Sequence, residues 1–185
     1  ANTYYERGLV SEAIAAYRQS LAIKSDNAYT RHNLGIALKT KGDVDAAIQE
    51  LREAVRLKPD LAGARYHLAI SYKEKGRKVE ALQEFKETVR IKPDSAEAHY
   101  DLGMAYLDLQ KSEEALGEYR GALKLRPYYV EAQANLAFTL YKLRKYDEAV
   151  VAFNKYIAIA PTKDAEYIKI AKKLVSQIET KKGQF

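Results

Sequence analysis

The 185-residue chain contains no cysteine, which removes disulfides, thiolate metal sites and cysteine nucleophiles from consideration. The same absence leaves the redox compartment undetermined: a cytoplasmic location is the first expectation and a periplasmic one stays open. Glycine and proline are scarce, at 9 and 4 residues, too few for the turns of an all-β fold. The wealth of Ala, Leu, Glu, Lys and Arg favours helix instead. No apolar run approaches the roughly 20 residues of a membrane span, and the first residues lack the basic-then-apolar layout of a signal peptide. Methionine occurs once, at Met104, and the chain opens on Ala1, so a piece of a longer sequence is expected. What is present is the make-up of a folding chain, 47% hydrophobic and 30% charged.

The few prolines carry the most information. Pro59, Pro93, Pro127 and Pro161 follow one another at intervals of 34 residues, in the related phrases VRLKPD, VRIKPD, LKLRPY and IAIAPT. A fixed period of this length dictates architecture before local propensity is considered. The period divides the chain into units at 28–61, 62–95, 96–129 and 130–163, preceded by a partial unit at 1–27 and followed by a capping helix and tail at 164–185. Together they are expected to form one continuous solenoid domain.

Within each unit two hydrophobic stripes recur. The first is Leu34, Gly35 and Leu38, repeated as Leu68, Ala69 and Tyr72, as Leu102, Gly103 and Tyr106, and as Leu136, Ala137 and Leu140. The second is Ala47 and Leu51, repeated as Ala81 and Phe85, Ala115 and Tyr119, and Ala149 and Phe153. Offsets of 0, 1 and 4 make one face of a helix, and the small residue lets a second helix approach closely. Gly8, Gly42 and Gly76 share the position between the stripes, where positive φ can end the first helix. Gln110 and Arg144 stand there in the later units, so that turn is expected to close differently. Asp60, Asp94 and Thr162 are N-cap candidates, with Glu97 completing a capping box.

The pattern predicts helix pairs at 28–41 with 44–57, 62–75 with 78–91, 96–109 with 112–125, and 130–143 with 146–159. A helix at 11–24 precedes them. A last helix at 163–181 packs through Tyr167, Ile170, Ala171, Leu174 and Ile178 and turns its lysines outward.

These stripes resemble the tetratricopeptide signature of Leu, small residue and Tyr on one helix, then Ala, aromatic and Pro on the next. The resemblance implies an all-α fold, a right-handed α-solenoid of antiparallel helix pairs. The first aromatic position of the signature is filled here by Arg31, Arg65, His99 and Gln133, and the chain has no tryptophan. Neighbouring tyrosines are expected to complete that packing edge. Asn2 to Gly8 supplies only half of a first helix, so further repeats or another domain are expected before residue 1.

Functional residues are expected on the concave surface lined by the first helix of each unit. One residue before each core leucine lie Asn33, His67, Asp101 and Asn135, a ladder of hydrogen-bonding groups. Two residues after it lie Ile36, Ile70, Met104 and Phe138, an apolar strip. Tyr5, Lys39, Lys73, Leu107 and Tyr141 lie one turn further, and Tyr66 and Tyr100 one turn earlier. Polar amides beside apolar and aromatic groups suit a peptide or an amphipathic helix of a protein partner. His32, Lys39, His67 and Lys73 make the early half basic. A ligand with acidic residues at one end and hydrophobic anchors at the other is therefore expected. A homo-oligomer through the groove or the exposed first unit would bury the same residues.

The resemblance brings two precedents. Some tetratricopeptide proteins clamp the C-terminal carboxylate of chaperones with lysine, asparagine and arginine. Asn33 takes the central asparagine position and Asn2 the one before it, but Gly63 and His67 replace the basic partners, so that clamp is not expected. Asn33 and Asn135 are more similar to the asparagine ladder that grips peptide backbone in the O-linked N-acetylglucosamine transferases.

Other classes fare poorly. The three histidines, His32, His67 and His99, include no i, i+4 pair, so no metal or other cofactor is expected. No nucleophile elbow, phosphate loop or HExxH motif points to catalysis. The net charge of +6 is spread over the units as 0, +1, +3, −2, +2 and +2, and acidic residues interleave with basic ones at helical spacing. Nucleic-acid binding is therefore not expected. Two functions remain: a non-catalytic protein-interaction scaffold, or the recruiting arm of an enzyme, for example a glycosyltransferase, whose catalytic domain lies outside these residues.

Overall fold

A computed structural model of the chain describes residues 8–182. Its helices are α1 (Val10–Ile23), α2 (Ala28–Lys41), α3 (Val44–Leu57), α4 (Ala62–Glu74), α5 (Lys78–Ile91), α6 (Ala96–Asp108), α7 (Ser112–Leu125), α8 (Val130–Lys142), α9 (Tyr146–Ile159) and α10 (Ala165–Lys182). Among the described residues there is no strand. The expected helix ends are met to within one residue from α1 through α9. The fold is all-α, an α-solenoid of antiparallel helix pairs. The chain divides into two compact units, Ala1–Pro93 with α1 to α5 and Asp94–Phe185 with α6 to α10. Inside each unit every helix packs on the next, and in the first unit α2 also touches α4.

The core stripes explain the pairing. Leu34, Leu38 and Leu51, then Leu68, Tyr72 and Phe85, are buried in the first unit; Leu102, Tyr119, Leu136, Leu140 and Phe153 are buried in the second. Burying each side chain of this size contributes about 1.5–3 kcal/mol. The small residue of each first stripe faces the large residue of the second. A methyl added to Gly103 would lie 2.6 Å from the Tyr119 ring, and one added to Gly35 would lie 2.6 Å from Leu51. Where the small residue is Ala69 or Ala137, the large residues in the equivalent positions are Phe85 and Phe153, fully buried at 0% exposure. Tyr106, expected in the core, is only half-buried.

The turn between paired helices closes the same way in all four full repeats, contrary to expectation. Gly42 and Gly76 have φ of 95° and 71°, and Gln110 and Arg144 adopt 61° and 60°. The following amide returns to the preceding helix each time: Asp43 to Leu38, Arg77 to Tyr72, Lys111 to Tyr106 and Lys145 to Leu140, at 2.9–3.0 Å. Satisfying these helix-end carbonyls requires the left-handed conformation. Gln and Arg therefore accept it at a cost of about 1 kcal/mol each.

Three cap assignments also change. Ser95, not Asp94, caps α6, accepting the Ala98 amide at 3.2 Å. Asp60 stays in the connecting turn, where its carbonyl accepts from Ala62, and Leu61 holds the cap position without a side-chain bond. Thr162 opens a 3-10 turn, Thr162–Asp164, instead of capping a long helix. In each case the connection after the proline runs further than the pattern suggests. That added turn rotates α10. Ala171 and Ile178 are buried, and Ile168, Leu174 and Val175 pack on the core cluster that holds Ala171, while Tyr167 and Ile170, expected on the packing face, are exposed.

The edge that lacks the signature aromatic is closed by polar pairs 19 residues apart, not by tyrosines. Arg31 bonds Glu50 at 2.6 Å, Arg65 bonds Glu84 at 2.7 Å and His99 bonds Glu118 at 2.7 Å. Gln133 has Ala152 at the same offset, and its amide donates to the Ala152 carbonyl at 2.9 Å. Arg31 and Arg65 also donate to the carbonyls of Ser25 and Pro59. Each pair ties the first helix of a repeat to its second.

Candidate binding site

The strip residues sit on the first helix of each pair because their positions flank the core leucines at helical spacing. In the first unit they are Asn33, Ile36 and Lys39 on α2, and Tyr66, His67, Ile70 and Lys73 on α4. In the second they are Tyr100, Asp101, Met104 and Leu107 on α6, and Asn135, Phe138 and Tyr141 on α8. All fourteen are half-buried, neither sealed in the core nor fully in solvent. Tyr5 and Asn2 lie outside the described residues.

The first-unit strip is built around imidazoles. The His32 and His67 rings lie 5.3 Å apart, and Tyr66 stands edge-on to His67 at 5.6 Å and to Phe85 at 5.9 Å. Burial, reinforced by the neighbouring His32 and Lys39, holds His67 down at about 4, and burial lowers His32 as well. Both rings are therefore neutral at pH 7. The expected basic character of the early half reduces to Lys39 and Lys73. Of these, Lys39 lies 3.8 Å from Glu74. Desolvation between α2 and α4 is what the sequence pattern misses.

The second-unit strip is aromatic. Phe138 meets Phe153 edge-on at 5.0 Å, and Tyr141 lies between Tyr146 at 5.8 Å and Phe153 at 6.4 Å. Tyr100 lies 6.0 Å from Tyr119 and 5.1 Å from Tyr129. The Asn135 amide donates to the Tyr100 hydroxyl at 3.2 Å and to Met104 Sδ at 3.1 Å, and the Tyr119 hydroxyl donates to the same sulfur at 3.3 Å. The ladder amide is thus turned onto the protein through its nitrogen, which leaves its carbonyl oxygen as the group with acceptor capacity. Burial raises Tyr100, Tyr119 and Tyr129, the last to about 12, and the nearby Asp101 adds to each. All three phenols stay protonated.

Beside this strip lies a cavity of 810 Å³ whose wall includes Tyr100, Tyr128, Tyr129, Phe138, Tyr156 and Tyr167. Among the described residues no three His, Asp or Glu side chains are grouped as metal ligands. Nor is any described helix long and apolar enough to cross a membrane.

The Tetratricopeptide repeat family model matches residues 32–96 and 100–164, and a TPR repeat model matches residues 1–42. The chain belongs to the tetratricopeptide repeat family. Solved structures of the same fold include MamA, with a TM-score of 0.80 at 25% identity over 90% of each chain. MamA 41-end from Desulfovibrio magneticus RS-1 has a TM-score of 0.80 at 22% identity over 88% of this chain and 92% of that one. YrrB, described as a TPR protein with an unusual peptide-binding site, has a TM-score of 0.79 at 20% identity over 91% and 84%. No curated protein sequence matches the chain.

The tetratricopeptide stripes located the strip but not the tyrosine cavity. Tyr128, Tyr129, Tyr156 and Tyr167 come from a repeat connection, a second helix and the last helix, outside the first-helix positions that flank the core leucines. One signal was available. The connection after Pro127 reads Tyr-Tyr where the earlier two read Asp-Leu and Asp-Ser.

Proposed function

We propose that this tetratricopeptide protein-interaction scaffold works without catalysis, binding a peptide segment or a helix of a partner along the strips on its first helices. The observation that carries this reading is the uniform half-burial of all fourteen strip residues. Side chains fixed by core packing yet open on one side are preorganised for contact, and their ordering cost is already met by the fold. In the second unit Met104, Phe138 and Tyr141 supply apolar anchors, and the Asn135 carbonyl can accept from a peptide backbone. Lys39 and Lys73 place positive charge on the strip of the first unit.

A peptide array probed with the intact chain and with an M104A/F138A/Y141A variant tests the proposal. The variant is expected to lose most of the spots bound by the intact chain while keeping a cooperative thermal transition. A K39E/K73E variant, which changes charge and leaves the apolar packing in place, should alter preference toward charged peptides. Identical binding by all three proteins would refute the strip assignment.

A further inference from the structure

The tyrosine cavity of the second unit has a chemistry of its own. Its aromatic wall is joined by the carboxylates Glu131 and Asp164 and by the Asn135 amide. Among the described lining residues Arg126 is the one cation, and it is already engaged. Its guanidinium lies 4.7 Å over the Tyr129 ring and is hydrogen-bonded to Glu97. The backbone amide of Glu97, together with that Arg126 bond, keeps the Glu97 carboxyl below its usual range. With Arg126 neutralised by Glu97, the charge left at the wall is negative. The repeat at 96–129, which supplies Tyr100, Tyr128 and Tyr129, is also the one with a net charge of −2 in a chain of +6.

Aromatic faces attract a cation through their quadrupole, most of all where water is partly excluded. A guanidinium suits such a wall better than an ammonium, since it is planar, weakly hydrated and able to bond a carboxylate through two N–H groups while stacked on a ring. Arg126 on Tyr129 shows that this wall accepts a stacked guanidinium. We infer that the cavity receives an arginine side chain of the partner segment, seated among Tyr100, Tyr128 and Tyr167 and neutralised by Glu131 and Asp164. The inference rests on the strip reading for the path of that segment along α6 and α8, and it adds the chemistry of one anchor. The cavity is wider than one side chain, so the residues flanking the arginine enter with it.

The test measures anisotropy of fluorescein-labelled peptides of alternating Gly and Arg, Gly and citrulline, and Gly and Glu, at physiological salt with the full chain. The overall charge of +6 favours the Glu peptide, whereas the cavity favours Arg over its neutral isostere citrulline by about tenfold. E131Q/D164N and Y128A/Y167A should each weaken the Arg peptide by about tenfold. E12Q/E114Q, with the same charge change away from the cavity, should leave it unchanged. Tightest binding of the Glu peptide, equal binding of Arg and citrulline, or equal loss in E12Q/E114Q would overturn the assignment. If the Arg peptide fails to bind while M104A/F138A/Y141A still strips the peptide array, the cavity assignment falls and the strip reading stands. If the array pattern survives that triple variant while Arg binding depends on Glu131 and Asp164, the cavity stands and the strip reading falls.

Discussion

The two units solve the same packing problem with different side chains. In the first, arginines bridge to glutamates across the repeat edge, glycines occupy the left-handed turns, and a neutral histidine pair fills the strip. In the second, a histidine and a glutamine hold the edge, Gln110 and Arg144 occupy the left-handed turns, and tyrosine and phenylalanine rings interlock over Phe153. The backbone repeats and the chemistry does not. Each position asks only for a group of a certain size and hydrogen-bonding capacity, so ionic, amide and aromatic answers are interchangeable if the partner changes too.

The largest test of this contrast is at the repeat edge. Arg65→Met leaves Glu84, only 18% exposed in its side chain, without its partner, and should cost about 2–3 kcal/mol. Gln133→Met removes a bond to a carbonyl inside a helix and should cost under about 1 kcal/mol. Equal losses in urea unfolding would show that the two edges are held alike.

Acid is the next lever. His67 is held at about 4, below the unfolded value near 6.5, so the unfolded chain takes up the proton first. The first unit should keep full stability above pH 6.5 and lose about 2 kcal/mol as pH falls to 4. Hydrogen exchange read helix by helix should show α2 and α4 opening over that range, and His67→Phe should remove most of the dependence, leaving the part that buried His32 contributes. A flat profile in the parent chain would contradict the buried neutral pair.

A smaller difference is expected in the aromatic core. Phe153 engages both Phe138 and Tyr141, whereas Phe85 engages Tyr66. Phe153→Leu should therefore cost about 1 kcal/mol more than Phe85→Leu. The smallest effect is a gain. Gln110→Gly and Arg144→Gly should each raise stability by about 0.5 kcal/mol, as the relief of the left-handed strain outweighs the added chain entropy. Loss of stability in both would mean that these side chains hold something the turn needs.

Much of the fold was legible in the sequence because proline spacing, leucine stripes and small residues report the same helix pairs independently. What escaped depends on information that a stripe does not carry. Either Tyr167 or Ile168 fits the period of α10, and only the three-residue turn before the helix decides between them. The left-handed turn is dictated by carbonyls that must be satisfied, so it forms whether or not a glycine is present. The charge of His67 depends on how closely α4 sits against α2. The cavity draws Tyr128, Tyr156 and Tyr167 from three different elements, and no periodic pattern on a single helix can assemble them.

The polar pairs 19 residues apart also set a rule for recombination. A chimera joining the first helix of the repeat at 130–163 to the second helix of the repeat at 62–95 would keep every leucine, yet place Gln133 against Glu84 and leave that carboxylate without its cation. The reverse chimera would set Arg65 against the methyl of Ala152. Interchangeable modules in this chain are therefore whole helix pairs, and a join that falls inside a pair has to carry both partners across.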